Sequence, residues 1–192
     1  MEVANNKAEV YDRTTITLHW ITAVSVVLLW ISGQTADWIP DGPVHTAYWS
    51  AHLLLGFTFA VVLACRITWR ASRGRRLPAA DPGLLQAFAK ATHYLLYALL
   101  LTVVSLGIVN AFVRGYDLFG LVKLPQLGDL AWRRPITDWH GLAANLVLGL
   151  ALLHAAAALV HRYLWHDGVL GRMLPTKAMS ARDGNAASER PG

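Results

Sequence analysis

The chain has 192 residues, of which 55% are hydrophobic and only 15% charged, with a formal net charge of +5. So few charges, with a mean hydropathy of +0.37, exclude an ordinary soluble domain and point to the lipid bilayer. The excess of basic residues follows membrane topology, as shown below, so binding to nucleic acid has no support.

Four charge-poor runs follow one another, each close to or above the roughly 18 to 20 residues that a helix needs to cross a bilayer. The first, Ile16 to Gly33, continues into "GQTADW" without a small-x-small cleavage site. A cleaved signal has a shorter apolar region of about 7 to 15 residues, so this run is read as a retained helix. The others are Ala47 to Ala64, Tyr94 to Val113 and Gly141 to Val160, and none of the four holds Lys or Arg. The expected fold is all-α, an up-and-down transmembrane four-helix bundle. One integral-membrane domain covers residues 1–175, with spans at about 14–34, 47–69, 92–113 and 139–163. The stretch "KAMSARDGNAASERPG" is polar and rich in small residues, so residues 176–192 are expected to be a disordered cytoplasmic tail. Cys65, alone in the second span, cannot form an intrachain disulfide and is expected to be a small buried thiol. Most tryptophans fall near span ends, where interfacial anchoring accounts for them.

Basic residues set the orientation. Lys7 and Arg13 precede the first span, while Arg66, Arg70, Arg73, Arg75, Arg76 and Lys90 border the loop after the second. Arg162, Arg172, Lys177, Arg182 and Arg190 follow the fourth. Only Arg114, Lys123, Arg133 and Arg134 of the 17 basic residues lie on the opposite side. The positive-inside rule therefore places both termini in the cytoplasm.

The fourth span, "WHGLAANLVLGLALLHAAAALVH", carries imidazoles where polar groups are expensive. Steps of four and three along one helical face connect His140, Ala144, Val147, Ala151, His154, Ala158 and His161. His140 and His154 are about 21 Å apart at 1.5 Å per residue, too far to share one ion but suited to two stacked cofactors. Haem is the natural candidate, since a flat macrocycle lies against small residues while an imidazole reaches its iron. Each iron with two axial histidines needs a second ligand from another helix. Depth supplies it: His52 begins the second span on the outer side, level with His140, and His19 begins the first on the inner side, level with His154. Gly56, one turn beyond His52, leaves room for a macrocycle. A single intramembrane histidine can simply bond a neighbouring helix; four that pair by depth make two bis-histidine haems the better reading. His93 and His161 lie near the inner level without a depth-matched partner. Either they hydrogen-bond a quinone head group and handle its protons, or they snorkel at the interface. His45 and His166 are expected in solvated loops.

The segments "YDRTTITLHW", "HLLLG" and "HGLAANLVLGLALLHAAAALVHRYLWHDGVLGRMLP" resemble the bacterial cytochrome b561 family, over about residues 10 to 175. The resemblance implies an inner-membrane four-helix protein with two b-type haems, ligated by histidines that fall here on His19, His52, His140 and His154. The family's superoxide oxidases pass electrons from periplasmic superoxide to ubiquinone near the cytoplasmic face, and quinone-handling positions there match His93 and His161. Other relatives are cytochrome b subunits of hydrogenases and formate dehydrogenases. The expectation is thus a dihaem electron-transfer protein, a superoxide:ubiquinone oxidoreductase or, alternatively, a cytochrome b subunit linking a periplasmic redox enzyme to the quinone pool. A membrane protein without cofactor is the third reading. The outer side mixes its four basic residues with Asp37, Asp41, Asp117, Asp129 and Asp138, so only a local cation cluster could steer an anion there.

Overall fold

The computed structural model describes residues 10–75, 77–78 and 83–174; the expected tail lies outside the described residues. Among the described residues, four helices are long and apolar enough to cross a membrane. They are α1 (Arg13–Thr35), α2 (Pro43–Ser72), α3 (Leu84–Arg114) and α4 (Arg133–Tyr163). A two-stranded antiparallel ribbon, β1 (Asp117–Leu118) with β2 (Val122–Lys123), caps what we call the hairpin end, with Asp117 opposite Lys123. The opposite, terminal end is where α1 begins and α4 finishes.

Local chemistry sets the helix limits. Asp12 caps α1, its carboxylate accepting from the Thr15 backbone N–H at 2.9 Å and the Thr15 hydroxyl at 2.6 Å. Pro43 occupies the first turn of α2, where its missing N–H costs nothing. Gly115 ends α3 in the left-handed conformation, φ +58°, with its N–H returning to Ala111.

Three helices, α2, α3 and α4, begin earlier than hydropathy suggests. α3 begins at Leu84 rather than near 92, and α4 at Arg133 rather than near 139. Hydropathy marks the segment that lipid can cover, whereas backbone hydrogen bonding carries a helix beyond it, here to starts without a side-chain cap. The same extension overturns the expectation for His45. Because α2 starts at Pro43, His45 lies in a helical turn, half-buried, with Nε2 accepting from the Trp49 indole N–H at 3.1 Å. His166 does lie in a connection, exposed, with φ +54°.

α1 packs chiefly on α2 and α3 on α4, while α1–α4 and α2–α3 contacts are narrower. Phe59, Leu63, Leu100 and Val147 form the buried centre, drawn from three helices. Most other large apolar side chains point outward, such as Leu153 at 68% exposure, as lipid-facing residues must. Cys65 is among the outward-facing residues, contrary to the expected buried thiol. Its place on α2 faces away from the other helices, where a thiol is apolar enough for lipid. Asn145 in α4 has its amide oxygen satisfied by the Trp30 indole N–H of α1 at 2.8 Å.

The terminal end is laced together by hydrogen bonds. Asp12 also accepts from the Trp69 indole at 2.9 Å and the Arg75 N–H at 3.0 Å. Burial acts upward on this carboxyl, but the bonds from Thr15, Arg75 and Trp69 outweigh it and hold its pKa at about 2. Tyr11 N–H bonds the Arg172 carbonyl and the Trp20 indole bonds the Met173 carbonyl, joining the start of α1 to the segment after α4.

Candidate functional site: paired imidazoles at two levels

At the hairpin end, α2 and α4 bring His52 and His140 together with ring centroids 6.4 Å apart. Both rings are held through Nδ1. His140 Nδ1–H donates to the Val103 carbonyl of α3 at 3.0 Å, an acceptor that fixes the ring's proton on that nitrogen. The Ser32 hydroxyl gives its proton to the Leu29 carbonyl, leaving its oxygen to accept from His52 Nδ1–H at 2.7 Å. Each neutral ring therefore keeps an unprotonated Nε2, the form that binds a metal.

Around this pair lies a cavity of about 650 Å³ lined by all four helices, a size suited to a cofactor. Gly56 lines it, as do Gly107 and Ala144. Gly107 is the stringent position: a Cβ there would lie 3.0 Å from His140 Cε1. Its missing side chain is what lets the imidazole stand close against α3. The cavity mouth mixes Asp37 and Asp117 with Arg114. Arg114 is braced by Asn110 Oδ1 at 3.1 Å and Thr137 Oγ1 at 2.7 Å, with its guanidinium 5.8 Å from the Tyr116 ring centre. Burial raises the Tyr116 hydroxyl's pKa, against the opposing pull of Arg114 and Arg133, so both cations bear on this mouth.

At the terminal end, His19 of α1 and His154 of α4 also lie 6.4 Å apart. His93 of α3 lies edge-on to His154, ring centroids 5.1 Å apart, with Nδ1–H donating to the Ala89 carbonyl at 2.6 Å. His19 has a different partner from the rings at the hairpin end: Arg66 Nη2 donates to its Nδ1 at 3.0 Å. His161 lies further along α4, its Nδ1 bonded to Asp167 Oδ2 at 2.5 Å and its ring edge-on to Trp165. Desolvation acts upward on Asp167, but bonds from His161 and the Val169 N–H prevail and keep the carboxyl below its ordinary range.

The separations test whether a metal could sit between paired rings. A metal about 2.0–2.1 Å from each nitrogen, with ring atoms about 1.1 Å from the centroid for bonds near 1.33 Å, puts the centroids about 6.3 Å apart. Both pairs match it, so the donor set fits a bis-histidine iron at each level. No group of three or more His, Cys, Asp or Glu capable of holding a bare metal ion occurs among the described residues.

Thus the structure brings together His52 with His140 and His19 with His154, and it sets His93 beside the second pair while His161 stands apart with Asp167. Sequence reasoning missed Ser32, Val103, Gly107 and Asp167. Three of these act from a helix or turn that supplies no ring of the pair it serves, or through a backbone atom, and carry no local signal. Asp167, six residues after His161, was the one within reach of inspection.

Four apolar helices facing one another through imidazoles at two levels define a class, the multi-pass membrane cytochromes. The chain belongs to the prokaryotic cytochrome b561 family, whose description matches residues 10–176. It is 32% identical to cytochrome b562 of Cereibacter sphaeroides over 85% of this chain and 94% of that one. It is 28% identical to a probable superoxide oxidase, CybB, of Yersinia pestis over 87% of this chain and 97% of that one. Cytochrome b561 homolog 1 of Escherichia coli is also 28% identical, over 87% and 98% of the two chains. Membership makes this a membrane electron-transfer protein that binds b-type haem.

Proposed function

We propose that the chain holds two b-type haems and carries electrons from a periplasmic donor, superoxide foremost, to ubiquinone near the cytoplasmic face of the inner membrane. One observation carries this reading: two imidazole pairs at opposite levels, each 6.4 Å apart. His52 and His140 would hold the outer haem, and His19 and His154 the inner one. When bound, such a haem would supply one-electron chemistry between ferric and ferrous iron.

The positive-inside rule puts the terminal end in the cytoplasm and the hairpin end in the periplasm. There Arg114 lines the cavity beside Asp37 and Asp117, with Arg133 bearing on the adjoining Tyr116, so attraction for an anion is local to these two arginines. They draw an anion toward the cavity mouth. Two superoxide ions each give up one electron and leave as O₂; two electrons and two protons convert one ubiquinone to ubiquinol. His93, against the inner pair, is placed to hydrogen-bond the quinone head group. His161, oriented by Asp167, is placed to pass protons from the cytoplasmic side.

The test is ubiquinone reduction by the purified protein in the presence of a superoxide generator. Quinol formation well above that of haem-free protein is expected. Equal rates would remove superoxide as the donor. Stable co-purification with a periplasmic redox enzyme, in place of activity towards superoxide, would favour a cytochrome b subunit serving that enzyme.

A further inference from the structure

The surroundings of the two pairs differ in charge. His52 and His140 each rest on a neutral oxygen, the Ser32 hydroxyl and the Val103 carbonyl. His19 instead lies within hydrogen-bond distance of a guanidinium. Arg66 projects from the last third of α2 into the bundle, half-buried, with its guanidinium 5.4 Å over the Tyr97 ring of α3. Among the described residues no carboxylate pairs with it, and the charged neighbour that bears on it, Arg70, has the same sign. An arginine in such a place keeps its charge.

We propose that Arg66 raises the reduction potential of the inner haem above that of the outer one and so gives electron transfer its inward direction. This rests on the dihaem reading above. Iron bound at His19 Nε2 leaves the proton on Nδ1, so the guanidinium cannot donate there in that state. The Tyr97 ring retains it beside the imidazole, where it acts as a fixed charge. Ferric iron with two neutral imidazoles is more positive by one unit than ferrous iron, so a nearby cation favours the reduced form. In a low-dielectric interior that preference is large. Among the described residues the outer pair has no comparable charge against either ring, and Arg114 at its cavity shares that lining with Asp37 and Asp117. An electron arriving at the outer level therefore runs downhill toward the inner one.

The experiment is an equilibrium redox titration of the haem-loaded protein, followed by visible absorption, with haem per chain measured on each sample. In the wild type, two haems per chain and two resolved one-electron components are expected. Arg66→Gln and Arg66→Met should lower the higher-potential component's equilibrium constant for reduction at least about tenfold, equivalent to 59 mV for one electron, and leave the other unchanged. Arg66→Lys, which keeps the charge, should hold both components within about twofold to threefold of wild type. No movement in the neutral variants, or movement of the lower component alone, overturns the proposal. So does loss of a haem from the neutral variants with Arg66→Lys retaining it, which would make Arg66 a structural support of the site. If neither neutral variant folds, Arg66→Lys decides, since a tenfold shift with the charge preserved also overturns it. Fewer than two haems in the wild type would instead strike the dihaem reading itself.

Discussion

At Gly107 a single methyl group decides whether His140 can stand against α3, because a Cβ would come within 3.0 Å of the ring. Gly107→Val should therefore lower the content of haem held at His140 more than Gly107→Ala, read as haem per chain. For the ligands, His52→Ala or His140→Ala should remove one spectral component, and His19→Ala or His154→Ala the other. His93→Ala and His161→Ala should keep both haems but slow quinone reduction roughly hundredfold, the lower range for loss of acid–base assistance. Loss of a full haem from either would show that the pairing is wrong. The histidines were legible in sequence because imidazoles stand out in a stripe of alanines, and helical rise placed them at matching depths. Arg66 stood in the sequence among the cytoplasmic arginines, but its place beside His19 was not visible there. Its contact with His19 joins residues 47 positions apart, and no periodicity encodes it.

Among the elements, the start of α1 is capped by Asp12. With a folded pKa of about 2 against an ordinary 3.8, its contribution is fully present above about pH 4 and disappears as pH falls through about 2. Asp12→Ala should cost about 0.5–2 kcal/mol near neutral pH, as loss of a helix cap does. Thermal unfolding in detergent should show the gap from wild type closing as the pH is lowered from 4 to 2; a gap independent of pH would refute the role. At the other end of the bundle, Gly115→Ala forces a side chain into φ +58° and toward Gln126. The measured loss should be about 1 kcal/mol or more. Hydropathy gave the number and order of helices because lipid demands long apolar runs. It missed the true starts of α2, α3 and α4, and with the first the helical place of His45, because those turns lie beyond the apolar stretch and have no side-chain cap to mark them.

For the whole molecule, orientation and charge determine what can approach each face. If Arg114 and Arg133 gather superoxide, Arg114→Gln should slow its capture several-fold at low ionic strength, and the difference should shrink as salt is added. Initial rates across a salt series measure this; an effect indifferent to salt would assign Arg114 a different task. The bundle's architecture followed from sequence because each span must satisfy its backbone internally, which leaves helices as the solution for runs of this length. The cavity did not, since it is formed by four helices at once.

Haem content bears most directly on the central claim. Protein purified with saturating haem, extracted and quantified against chain concentration, should hold two b-type haems per polypeptide, falling to one when either His52 or His154 alone is replaced by alanine. A saturated wild-type sample with one haem, or two haems surviving in those variants, would contradict it.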